Sequence, residues 1–188
     1  MDTFDAIARR TSTRTFRAAP LPRHVIERLL ASAVRAPNHK LTEPWRFAVL
    51  TGASKSRYAE IRAAWRAVKF EGQPDEQTKR ADKARREALD TPAFVAVMCA
   101  ESQDPVRREE DYGAVMMAVE NLLVAAAADG IGSFLRTGGI MEQPEVRELV
   151  HLPAGYRMAG IISLGYLATE PEPTPRKKPL NEVVEWLE

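Results

Sequence analysis

The sequence is short of residues for thiol or metal chemistry. Its one cysteine, Cys99, lies in an apolar run and can form no internal disulfide, which fits a reducing cytoplasm. The three histidines, His24, His39 and His151, are scattered and show no metal-ligand spacing. Net charge is only +1, so no long-range field would draw the chain to nucleic acid or an anionic membrane. There is no uncharged apolar run of spanning length, so no membrane segment is expected. Asp2 and Asp5 interrupt the N-terminus, so no signal peptide is expected either. Neither a Gly-x-Ser-x-Gly elbow nor a Walker lysine occurs. Gly130-Ile-Gly132 follows a helical pattern rather than a strand and lacks a third glycine, so it fails as a dinucleotide fingerprint. Redox work, if any, has to come from a bound cofactor.

What is present describes one ordinary globular domain of 188 residues, 45% hydrophobic and 28% charged. Asp2 or Thr3 can cap a first helix with Phe4, Ile7 and Ala8 on one face. Pro20-Leu21-Pro22 opens a second over residues 23–34, which Pro37 ends. Residues 45–50 read as a strand, and Ser54 as the cap of a helix striped by Tyr58, Ile61, Trp65 and Val68. Residues 69–90 hold twelve charges, and are either a solvated helix packed through Ala81, Ala84 and Ala88 or a mobile lid. Residues 94–99 form a continuous apolar strand. A charged connection, 101–111, leads to the longest helical pattern, 112–129, apolar nearly all round and so central. Its run of small residues suits a subunit interface, and Gly130 supplies its left-handed end. An extended piece at 133–137, a short helix at 143–149 and a strand at 158–166 follow. The arm 168–188, with Pro171, Pro173, Pro175 and Pro179, favours an extended path. Its Val183, Val184 and Trp186 need burial, which wrapping a partner subunit would give. These elements predict an α+β fold: a mixed sheet of four or five strands with helices on both faces.

Two stretches carry chemistry. Arg9-Arg10-Thr11-Ser12-Thr13-Arg14 packs three guanidiniums and three hydroxyls into six residues, a set suited to phosphate oxygens. Arg35-Ala-Pro-Asn-His-Lys-Leu-Thr-Glu-Pro-Trp45 joins a helix end to a strand through a polar loop. Together they resemble the nitroreductase family of FMN-dependent oxidoreductases. That family opens with a helix ending in an Arg-Arg-Ser-x-Arg type segment. It then has a helix ending in Ala-Pro and a loop closing on Gln-Pro-Trp. The small, single-domain bacterial NAD(P)H nitroreductases are the most similar, over nearly the whole chain.

The resemblance implies an intertwined homodimer with a flavin at each end of the interface. It implies that Arg9, Arg10 and Thr11, with Arg14 beside them, hold the FMN phosphate and ribityl chain. Arg176 and Lys178, flanking Lys177, would return to that phosphate. Arg35, Asn38 and His39 would reach the flavin from the other subunit, and Arg35 or Lys40 would offset the charge of a reduced ring. Leu135, Arg136 and Thr137, before Gly138-Gly139, would run their backbone past the ring. Two positions depart from the family pattern: Leu41 stands for the usual Asn and Glu43 for the usual Gln. A carboxylate there accepts but does not donate. The function implied is transfer of hydride from NAD(P)H through FMN to a nitroaromatic or quinone-like small molecule, by a ping-pong route with no obligatory protein acid or base. A flavin-storing or flavin-sensing protein is the alternative; a nucleic-acid binder is disfavoured by the neutral charge.

Overall fold

The computed structural model describes residues 1–170, 172 and 175–187; Pro171 and Pro173 of the arm lie outside them. Helix α1 spans Thr3–Arg9, with Asp2 as its N-cap accepting from the Asp5 N–H at 3.0 Å. α2 spans Arg23–Ala33, β1 Trp45–Leu50, α3 Gly52–Val68, α4 Pro74–Leu89 and β2 Ala93–Ala100. α5 (Pro105–Ala128), β3 (Ile131–Arg136), α6 (Pro144–Leu149) and β4 (Tyr156–Tyr166) follow, and short 3-10 turns lie at His39–Leu41, Gly139–Glu142 and Leu180–Glu182.

The sheet order is β1-β2-β4-β3. β2 is a continuous apolar run because it is an inner strand buried on both faces. Ala93, Val95, Val97 and Cys99 point toward α2 and α5. Phe94, Ala96 and Met98 point toward Tyr58, Ala59 and Ile61 of α3 and Ala88 of α4. Helices therefore cover both faces, as expected. The sheet was expected to be mixed, but the four strands pair antiparallel throughout. Among the described residues the parallel component is one isolated bridge, Ser12 to Ser133.

Other differences are local and have simple causes. Residues 69–90 hold the helix α4, closed onto α3 by buried Ala84 and Ala88, rather than a lid. Thr51, not Ser54, precedes α3; the Ser54 hydroxyl accepts the Thr51 N–H at 3.1 Å from inside the first turn. α5 begins at Pro105, seven residues before the apolar pattern, because Asp104 caps it and Pro105 presets its first turn. By length and composition α5 could cross a bilayer; here Val115, Val119, Leu122 and Ala126 are core. Phe4 and Ile7, expected to pack, are exposed (84% and 51%). Val183, Val184 and Trp186 of the arm, expected to be buried by a partner subunit, are exposed in the single chain.

Two glycines govern where the N-terminal segment lies. A Cβ on Gly132 would stand 3.1 Å from Thr13 Cγ2 and 3.2 Å from Phe16 Cε1. One on Gly165 would stand 2.7 Å from Pro92 Cδ and 2.8 Å from Phe16 Cβ. The missing side chains let residues 12–16 lie flat against β3 and the end of β4. Gly165→Ala should therefore lower stability by about 1–3 kcal/mol through overpacking. Denaturant unfolding checks this, and an unchanged midpoint would contradict it.

Candidate functional site

The segment after α1 crosses the end of the sheet as a short extended strip. The Thr13 N–H donates to Ser133 O at 2.9 Å, and the Arg17 N–H donates to Tyr166 O at 2.9 Å. Between this strip, β3 and the end of α5 lies a cavity of about 300 Å³. Arg9, Arg10, Thr11 and Thr13 line it, with Ser133, Gly130 and Glu170. The hydroxyls of Thr11 and Thr13 are buried there and have no hydrogen-bond partner among the described residues. Arg10 is mostly buried and pairs with Glu120 at 3.2 Å; Arg9 is exposed and 3.6 Å from Glu170.

Two effects compete for an anion in this cavity. The C-terminal ends of α1 and α5 point toward it, and each opposes an anion by about 0.3–1 kcal/mol. Each guanidinium hydrogen bond to an anion contributes about 1.5–3 kcal/mol. The guanidiniums win, and the exposed Arg9–Glu170 contact is weak enough to be exchanged. A phosphate offers only acceptors, and the free groups here are donors. The donor set fits the phosphate end of FMN.

Beyond the cavity, Arg14 and Arg136 both lie on the ring of Phe134, at 4.5 and 4.6 Å from its centroid. Burial first, and then the Arg62 charge, hold the Arg136 guanidinium below its usual range. Leu135 turns the other way, against the α2–α5 core, where it is partly buried. Thr137 is exposed.

The second stretch forms a separate cluster. His39 Nδ1 lies 2.9 Å from Glu110 Oε2, the Thr42 hydroxyl donates to buried Asp111 at 2.8 Å, and the Glu43 N–H donates to Asn38 Oδ1 at 2.9 Å. Lys40, Leu41 and Glu43 all have left-handed backbone. Glu110 and Glu120 are ten residues apart on α5, roughly 15 Å. Within one chain, then, Asn38 and His39 do not join the cavity. Arg35 is exposed at the start of the same loop. Arg176 and Lys178 are exposed on the arm and are not among the described residues lining the cavity.

Thr13 and Phe134 were missed by sequence reasoning. Thr13 lies inside the cluster but reads as a strand former, and an isolated Phe gives no signal. Cys99 is fully buried with its thiol pushed up to about 11, so it offers no thiolate at neutral pH. A larger cavity, about 880 Å³, lies elsewhere, between Leu21, Leu30, Val49 and Leu89. It lacks the orphaned hydroxyls, so the smaller one is the better candidate.

Fold and cavity together define an α+β protein with a donor-lined cavity at one end of its sheet. A solved nitroreductase-like family protein from Bacillus cereus matches at TM-score 0.86 and 29% identity, covering 100% of this chain and 97% of that one. NfnB of Sphigopyxis sp. strain HMH, described as an FMN and NADPH-dependent nitroreductase, shares the fold at TM-score 0.81 and 18% identity, with both chains fully covered. "Putative NAD(P)H nitroreductase YfhC" of Bacillus subtilis (strain 168) is 31% identical over 178 residues, 95% of this chain and 90% of YfhC. The nitroreductase family pattern matches residues 7–166. The chain belongs to the nitroreductase family, and is an oxidoreductase.

Proposed function

We propose that this protein is an FMN-dependent oxidoreductase that moves electron pairs from NAD(P)H to nitroaromatic or quinone-like acceptors by a ping-pong route. The observation that carries it is the pair of orphaned hydroxyls, Thr11 and Thr13, facing one cavity with Arg9 and Arg10. The names of YfhC and NfnB support the nicotinamide donor, and that of NfnB supports FMN. When bound, FMN supplies a carrier that accepts an electron pair from the reduced nicotinamide and returns it to the acceptor.

The chain's own residues bind, orient and bias. Arg9, Arg10, Thr11 and Thr13 hold the phosphate. Arg14 and Arg136, braced on Phe134, set positive charge beside the ring, while the backbone of Leu135 and Thr137 borders it. Neither a thiol nucleophile nor a protein acid or base is required. Arg176 and Lys178 close on the phosphate when the arm is docked. Arg35, Asn38 and His39 belong to the site of the second subunit, on a loop that the His39–Glu110 and Thr42–Asp111 contacts hold in shape. The reading includes a cytoplasmic location, where a lone thiol such as Cys99 stays reduced.

The purified protein should be yellow and should bleach anaerobically with NADPH; adding a nitroaromatic should restore the colour with steady turnover. Bleaching without turnover would instead identify a flavin store. Arg10→Ala should weaken FMN about 10- to 150-fold, the loss of one charge-assisted bond, as fluorescence titration reads. An unchanged affinity would contradict the phosphate assignment.

We also infer that two chains form a homodimer in which the arm from residue 168 onward wraps the partner. Leu180, Val183, Trp186 and Leu187 are 63–88% exposed in the single chain, more apolar surface than a free tail would carry. Deleting residues 180–188 should convert a dimer to monomer in sedimentation; a wild-type monomer would overturn the arm's role.

A further inference from the structure

Behind β3, on the side facing α3, lies a layer of polar atoms that the chain itself does not satisfy. Tyr58 and Arg62 sit one turn apart on α3, 0% and 6% exposed. Opposite them are Phe134 and Arg136 of β3 and Ser163 of β4. The register pairs Phe134 with Ser163 and Arg136 with Ile161, and Ile161 packs in the same core as Tyr58. Tyr58 Oη, Arg62 Nη1, Arg136 Nε and Ser163 Oγ are all buried without a hydrogen-bond partner among the described residues.

The charges in this layer do not balance. Arg62 has one carboxylate contact, Nη2 to Glu87 Oε2 at 3.2 Å, and the Glu87 side chain is 46% exposed. Arg14 and Arg136 share the ring of Phe134 close by. Three guanidiniums thus face one carboxylate. A buried arginine that served only to clamp α3 to α4 would be expected to fill its remaining donors. Arg62 instead leaves Nη1 buried and unpaired among the described residues, and its charge is felt at Arg136. Water screens such a charge far less than one on the surface.

We propose that Arg62 is a positioning residue of the cofactor site: from beneath, it fixes the Arg136 guanidinium against Phe134 and adds a buried positive charge that favours the reduced cofactor. The inference rests on the FMN reading above. Reduction adds negative charge to the ring, and a fixed cation nearby lowers the free energy of that state more than of the oxidised one. Arg62 touches neither cofactor nor substrate; it acts through Arg136.

The test is the two-electron midpoint potential of bound FMN, measured against a reference dye in wild type, Arg62→Met, Arg62→Lys and Glu87→Gln, with FMN affinity measured alongside. Arg62→Met should lower the potential by about 30 mV, equivalent to a tenfold change in the reduction equilibrium. Arg62→Lys should recover part of it. Glu87→Gln removes the opposing charge and should raise the potential. Arg62→Met and Glu87→Gln remove the same ion pair, so a purely structural clamp would shift both in one direction or leave both unmoved, and either result overturns the inference. Should Arg62→Met not fold, Glu87→Gln carries the test from a half-exposed position, and a potential that stays level or falls overturns it. A wild type that takes up no FMN overturns the functional reading and this inference with it. Wild type that binds FMN, with variants at its potential, overturns this inference alone.

Discussion

The site depends on a few backbone hydrogen bonds that lay the segment after α1 across the end of the sheet. Ser12 bridges to Ser133, the Thr13 N–H donates to Ser133 O, and Phe16 bridges to Leu167. Gly132 and Gly165 make room for this, since side chains there would meet Thr13 and Phe16. Once the strip is down, neighbouring residues divide the work. Arg10, Thr11 and Thr13 reach the cavity, while Arg14 reaches Phe134. Arg14 and Arg136 arrive on that ring from different parts of the chain, so one constraint shapes both the donor-lined cavity and the pair of cations on Phe134.

The loop between α2 and β1 shows the complementary case, a conformation maintained against its own preference. Left-handed backbone costs a non-glycine residue on the order of 1–2 kcal/mol, and Lys40, Leu41 and Glu43 all adopt it. The opposing contacts are side-chain bonds from His39, Thr42 and Asn38. Glu43 has no ion pair among the described residues, so its charge is left to solvent or to a neighbouring subunit. Strain of this kind concentrates where a loop presents groups to a ligand. Leu41, at its tip, is 81% exposed.

Much of the fold could be read from local pattern. β1 was expected over the residues it occupies, and β2 within one residue at each end, because continuous apolar stretches flanked by turn residues leave few choices. The two motifs located the family, which the match over residues 7–166 bears out. The start of α5 was hidden because its first two turns are charged and carry no stripe, leaving Asp104 and Pro105 as the only marks. The all-antiparallel pairing was out of reach, since period-2 patterns say nothing about partners. The exposed face of α1 was misjudged because apolar periodicity marks a face as apolar without saying what lies against it. Arg62 escaped notice because on a helix of mixed charge a buried arginine looks like any other.

The central claim is that the cavity grips a phosphate. Comparing FMN with riboflavin, which lacks only that group, tests it most directly. Calorimetric titration of apoprotein should show FMN binding at least about a hundredfold more tightly, with inorganic phosphate competing, as several charge-assisted bonds require. Equal affinities for the two flavins would contradict the account.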